Sequence, residues 1–190
     1  MKSFFIKLSV FWLLILFSCE KYEKINPANW GRGNVMLNGR PLASFFSKGT
    51  VAIMGHERSD SCGQFMSIAF SVVSKGRPQN MLELTLVDVP KAAGSYQIGE
   101  HRSICKNPGI INAAASTIID YDMSGNSYKL LPSSVNYLEL TAHDPVTGEV
   151  KGTFQVTMVV DRKVNSSEIF AFPDILRYVG TAFHTRYEKK

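Results

Sequence analysis

The chain has 190 residues, with 21 Lys and Arg against 16 Asp and Glu and a formal charge of +5. Part of that excess, Lys2 and Lys7, sits at the very start, and the other basic residues are scattered among Glu and Asp; nucleic-acid binding wants a basic stripe, so no nucleic-acid partner is expected. The length suits one domain with its own core and falls short of two comfortable ones.

The first element is a leader. Lys2 and Lys7 precede Leu8 to Phe17, LSVFWLLILF, which is apolar except for Ser9. The run is shorter than the roughly 18 to 20 residues a membrane-crossing helix needs, so residues 1–18 read as a signal peptide rather than a permanent span. Leu16-Phe17-Ser18-Cys19 resembles the bacterial lipobox, in which the cysteine thiol receives a diacylglycerol and becomes the first residue; Phe17 stands where a smaller residue is usual. A plain cleaved signal and an uncleaved helical anchor are the other two readings. Two or three acyl chains on Cys19 would hold the protein durably, each buried methylene adding roughly 0.8 kcal/mol. The expected place is therefore the bacterial cell envelope, at the outer membrane, and the mixed charges around Glu20 and Glu23 leave both the periplasmic and the surface face open. Residues 19–30, CEKYEKINPANW, form the lipidated cysteine and a polar tether broken at Pro27, and residues 31–190 form a single β domain.

Within that domain the apolar residues recur with period two. Strands are expected in chain order at Gly33–Leu37, Leu42–Phe46 and Thr50–Met54, the first two joined by the hairpin signal Asn38-Gly39. In Met66–Val73 the residues Met66, Ile68, Phe70 and Val72 face one way and Ser67 and Ser71 the other; Leu82, Leu84 and Leu86 alternate with Glu83 and Thr85. Further strands are expected at Ser95–Ile98, Thr117–Asp122 and Ser127–Leu131, with Ser124-Gly125-Asn126 as a turn. The clearest hairpin follows: Leu138, Leu140 and Ala142 alternate with Glu139, Thr141 and His143, then Phe154, Val156, Met158 and Val160 alternate with Thr153, Gln155 and Thr157. Asp144-Pro145-Val146-Thr147-Gly148 supplies its turn, and Leu176–Tyr187 closes the chain. No stretch carries a helical stripe of useful length. About nine to eleven short strands argue for an all-β fold, an antiparallel β-sandwich or barrel.

Several of these stretches together resemble a known group. Asn38-Gly39-Arg40-Pro41-Leu42-Ala43 is similar to an "NGKxWxA" opening, Gly94-Ser95-Tyr96-Gln97-Ile98 to a "GtYxl" element, and Leu138 to Phe154 to a hairpin ending in "isGtF". Val179-Gly180-Thr181-Ala182-Phe183 is similar to a closing "nGxF" strand. With the lipobox, these are features of small exported Bacteroidota lipoproteins of unknown function. The resemblance implies an all-β exported lipoprotein and brings no catalytic residues with it.

Candidate chemistry is sparse. Cys62 and Cys105 remain after Cys19, and in an oxidising compartment a disulfide between them is expected, contributing roughly 4 kcal/mol on the chain-entropy model; two free buried thiols are the alternative. Each cysteine follows a polar loop, His56-Glu57-Arg58 in one case and Glu100-His101-Arg102 in the other, so the bond would gather His56, Arg58, His101 and Arg102. Guanidinium groups bind carboxylate or phosphate through paired hydrogen bonds, which makes those four residues a candidate site for an anionic or glycan ligand; two solvated loops stapled for stability are the simpler reading. Zinc is not expected, because the His–Cys spacings miss the short pairs of structural sites. Asp120-Tyr121-Asp122-Met123-Ser124-Gly125 begins like a calcium loop, but Leu131 stands where the closing carboxylate belongs. There is no nucleophile elbow, metalloprotease motif or phosphate loop, and no cofactor is expected; His143 and His184 fall on outward strand positions. Ile169-Phe170-Ala171-Phe172-Pro173 would serve a partner if exposed, and core if folded over a sheet end.

Two functions remain. One is a non-enzymatic envelope lipoprotein that presents loops to a protein or glycan partner. The other is a lipocalin-like carrier of a small apolar ligand. They differ in whether bulky inward residues such as Phe70, Leu84, Leu140, Phe154 and Met158 fill the interior.

Overall fold

The computed structural model describes residues 31–45, 49–60, 63–74, 81–100, 109–120, 123–164 and 172–188. The leader, Cys19 and the tether lie outside them. Eleven strands follow in order: β1 Arg32–Leu37, β2 Arg40–Pro41, β3 Gly49–Asp60, β4 Gly63–Ser74, β5 Met81–Pro90, β6 Gly94–Ile98, β7 Ile110–Asp120, β8 Met123–Leu130, β9 Tyr137–His143, β10 Glu149–Arg162 and β11 Ile175–Glu188.

The strands form one sheet in the order β2-β1-β11-β3-β4-β5-β7-β6-β9-β10-β8, and the further pairings β11–β10 and β7–β8 close it into a ring. The chain is all-β, as its periodicity predicts. The sheet is mixed, however, where an antiparallel one was expected. Tyr187 and Glu188 pair parallel to Gly55 and His56, and Gln97 and Ile98 pair parallel to Ile110 and Ile111. The first of these is forced by closure, since β3 and β11 meet at the seam running the same way.

Turn chemistry sets both hairpins. Asn38 and Gly39 have φ of 49° and 78°, the doubly left-handed turn that matches strand twist. Asn38 also docks on β11, donating from Nδ2 to the Ile175 carbonyl (3.0 Å) and accepting from the Arg177 N–H (2.7 Å). Between β9 and β10, Asp144 Oδ1 accepts from the Val146 and Thr147 amides at 2.7 and 3.2 Å, and Gly148 turns back with φ of 74°. Only Arg40 and Pro41 pair beyond the first turn, and the expected strand at Leu42–Phe46 is instead a 3₁₀ turn over Leu42–Phe45. It places Leu42 in the core, and Phe45 meets Phe172 at 6.2 Å, so Phe172 belongs to the packing rather than to an exposed surface.

The interior is filled. Phe70, Leu84, Leu140, Phe154 and Met158 are all buried, and the rings of Phe70, Phe154 and Phe183 lie 4.4 to 6.2 Å apart in tilted and edge-on contacts. Backbone approaches leave no slack around them: a Cβ at Gly180 would meet Phe154 Cε1 at 2.2 Å, and one at Gly152 would meet the Glu139 carbonyl at 2.2 Å. An extra residue, Thr181, bulges from β11 against both β1 and β10, which carries the inward face from Gly180 to Phe183.

Four expected outward or inward positions are corrected. A bulge at Thr141 in β9 shifts the alternation by one, so Ala142 is exposed and His143, opposite buried Val150, turns inward. Ser71 was expected on the wet face, yet it is buried and its hydroxyl donates to Glu83 Oε2 at 2.9 Å. Thr157 was expected to be wet as well and is buried, at the place where the segment joining β8 to β9 crosses beside β10. Ser124-Gly125-Asn126 proves to be part of β8 rather than a turn.

That crossing depends on one side chain. Asn136 Oδ1 accepts from the Thr157 N–H (2.7 Å), its Nδ2 donates to the Leu131 and Ser134 carbonyls (3.0 Å each), and the Leu131 N–H donates to the Thr157 carbonyl (2.9 Å). Asn136→Ala would leave these buried groups unpaired and should cost about 2 to 3 kcal/mol, against less than about 0.5 for the exposed Ser133→Ala. Denaturant midpoints measure the difference; similar small losses for both would show that the crossing holds without Asn136.

Candidate functional site

Of the residues singled out in the sequence, His56 and Arg58 lie at the end of the ring where β3 finishes. His56 and Arg58 are exposed positions of β3 itself, not of a loop. Arg58 Nη1 is 3.5 Å from Asp88 Oδ1, and Asp88 is buried at a bulge in β5 with φ of 65°. His101, Arg102, Cys62 and Cys105 lie outside the described residues, so the expected disulfide and the gathering of the two loops do too. Among the described residues no group of three or more His, Cys, Asp and Glu is placed to hold a metal ion.

Inside the same end runs a polar network. Lys91 forms an ion pair with Glu57, both side chains less than one fifth exposed, and stands 5.1 Å above the Tyr187 ring. The Tyr187 hydroxyl is 3.0 Å from His143 Nε2. These residues join at that end of the ring, where Lys91 and Glu57 answer each other's charge.

The outer wall differs. Across β1, β11, β10 and β9 lies an open concavity of about 590 Å³, lined by Arg32, Asn34, Thr141, Lys151, Thr153 and His184 around a floor at Ala182. Its shape follows from the ladders. Arg32 is opposite His184, and His184 is opposite Lys151, so three basic side chains form one row over three strands. One step along the same face Asn34 is opposite the small Ala182, which lowers the centre between longer neighbours. No Asp or Glu lines it. The nearest charge pairing is at one rim, where Glu149 meets His184 Nε2 at 3.5 Å and Arg186 Nη2 at 3.3 Å.

Nothing in the sequence analysis singled out this row. Each of its residues is readable as an outward strand position, but their adjacency joins segments more than a hundred residues apart, and only the pairing of β1 with β11 reveals it.

A third polar feature lies in the interior. The hydroxyls of Tyr128 and Tyr178 are buried without a hydrogen-bond partner among the described residues. Burial holds the Tyr178 phenol well above its ordinary value near 10, with the nearby Tyr128 adding to the shift. The folded protein then keeps a proton that the unfolded chain releases, so this contribution is whole below about pH 10 and is lost as pH rises beyond it. Tyr178→Phe should therefore flatten the alkaline fall in stability; melting curves from pH 8 to pH 11 that coincide in slope for both proteins would remove Tyr178 as its source.

The two kinds of ion pair separate by burial. Lys91→Met removes the cation paired with Glu57 in a half-dry place and should cost about 2 kcal/mol, whereas Lys163→Met should cost less than about 0.5, since Lys163 and Asp174 pair at 2.6 Å with both side chains more than half exposed. Thermal unfolding of the two variants compares them directly, and equal losses would mean that the inner network is no tighter than the surface. No family model matches the chain, and neither a curated protein nor a solved structure does, so the site is read from its own geometry.

Proposed function

We propose that this chain is a lipid-anchored protein of the bacterial envelope, held by Cys19, whose β domain presents its outer face to a protein or glycan partner and carries out no chemistry of its own. The filled interior is the observation that favours this over the carrier: Phe70, Phe154 and Phe183 occupy the space in which a lipocalin-like protein would hold its ligand. The lipobox-like LFSC and the resemblance to small exported Bacteroidota lipoproteins support the address.

Mass spectrometry of the protein extracted from membranes tests the anchor. The expected product begins at Cys19 and carries acyl groups, while Cys19→Ala gives an unprocessed chain. A wild-type protein that begins elsewhere, or whose Cys19 thiol is unmodified, ends the anchor reading. Native mass spectra of the same preparation are expected to show no stoichiometric apolar adduct; such an adduct would restore the carrier.

A further inference from the structure

We propose that the concavity over β1, β11, β10 and β9 binds a hydroxylated anion, a sugar acid or sugar phosphate, with Arg32 and Lys151 gripping the charge. This names a ligand class for the outer face and rests on the exported-domain reading only for where such a ligand would be met.

The first support is charge that the fold leaves uncompensated. The row Arg32–His184–Lys151 sets basic groups side by side over two successive ladders. The carboxylate that would relieve it, Glu149, is engaged at the rim by Arg186 as well as His184. Neither Arg32 nor Lys151 has a hydrogen-bond or ion-pair partner among the described residues. Their backbones lie about 10 Å apart, two strand spacings, so both long side chains reach one anion placed over the row.

The remaining lining narrows the class. Asn34, Thr141 and Thr153 surround the same concavity with an amide and two hydroxyls, groups that donate to and accept from alcohols. Phe183 is buried, and no Trp, Tyr or exposed Phe lines the concavity, so a neutral sugar has only the small His184 ring to stack on and charge supplies most of the hold. A volume of about 590 Å³ falls within the range of small-ligand sites. Arg offers a planar fork to carboxylate or phosphate, and Lys a point charge beside it.

The test is an NMR titration of the isotope-labelled full-length protein in a nonionic detergent, with glucuronate, glucose 6-phosphate, glucose and inorganic phosphate as probes. Glucuronate or glucose 6-phosphate is expected to shift the Ala182 and Thr153 amides with Kd on the order of 1 mM, and glucose to bind at least about tenfold more weakly. Arg32→Gln combined with Lys151→Gln should weaken the acid at least about tenfold while leaving the melting temperature in place, since both side chains are exposed. Glucose equal to the acids, no shift at Ala182 and Thr153, or unchanged affinity in the double variant would overturn the proposal. Inorganic phosphate as strong as glucose 6-phosphate would overturn its sugar half. These outcomes are independent of the acylation of Cys19: a failed titration with an acylated Cys19 removes the ligand class alone, and an unmodified Cys19 with a successful titration removes the anchor alone.

Discussion

The fold depends on one carbonyl. Ile53 in β3 accepts from the Gly31 N–H at 2.8 Å and from the Thr185 hydroxyl at 2.7 Å, so a single acceptor joins the start of the domain, its first long strand and its last. Beside it the direct pairing of β11 with β3 is only two residues long. The approach is close: a Cβ at Gly31 would meet the His184 carbonyl at 2.4 Å, and one at Gly55 would touch Tyr187 at 3.0 Å. Glycine at both places lets three backbones converge, and with them the sheet has its ends joined rather than exposed as pairing edges.

That seam also explains why the polar features divide as they do. Tyr187 follows directly from it, and its hydroxyl, His143, Lys91 and Glu57 form a plug whose charges cancel. On the outside, the same convergence sets β1 against β11 and brings Arg32 and Lys151 to either side of His184, with Glu149 at the rim. The inner network is therefore a cost met within the molecule, whereas the outer row faces solvent and whatever solvent contains.

Much of the architecture was legible because period-two alternation needs no knowledge of partners. Met66 to Val72, Leu82 to Leu86 and Phe154 to Met158 each bury the residues their spacing predicts. The misses have local causes. Pro41 lacks the N–H that a continuing ladder requires, so Leu42 enters the core from a turn rather than a strand. A bulge of one residue at Thr141 exchanges the faces of Ala142 and His143, and no pattern within β9 announces it. The candidate site was less legible still. Arg58 looked free for a ligand until Asp88, far along the chain and in a left-handed conformation, proved to be its neighbour. Arg32, Lys151 and His184 are ordinary outward residues taken singly; cross-strand register makes them a group.

The bond between the two ends of the domain governs the order in which it can assemble. Arg32 to Leu37 pairs with Tyr178 to His184, so β1 emerges from synthesis long before the strand it needs. Until Ile175–Glu188 arrives, β1 and the long edge of β10 both lack their partner, and the ring stays open. Joining segments so distant carries the loop-closure entropy that makes non-local β topologies slow to fold. A chain that acquires its strands from the amino end must therefore hold those edges open until the last of them forms, and the protein becomes a closed ring only with Ile175–Glu188 in place.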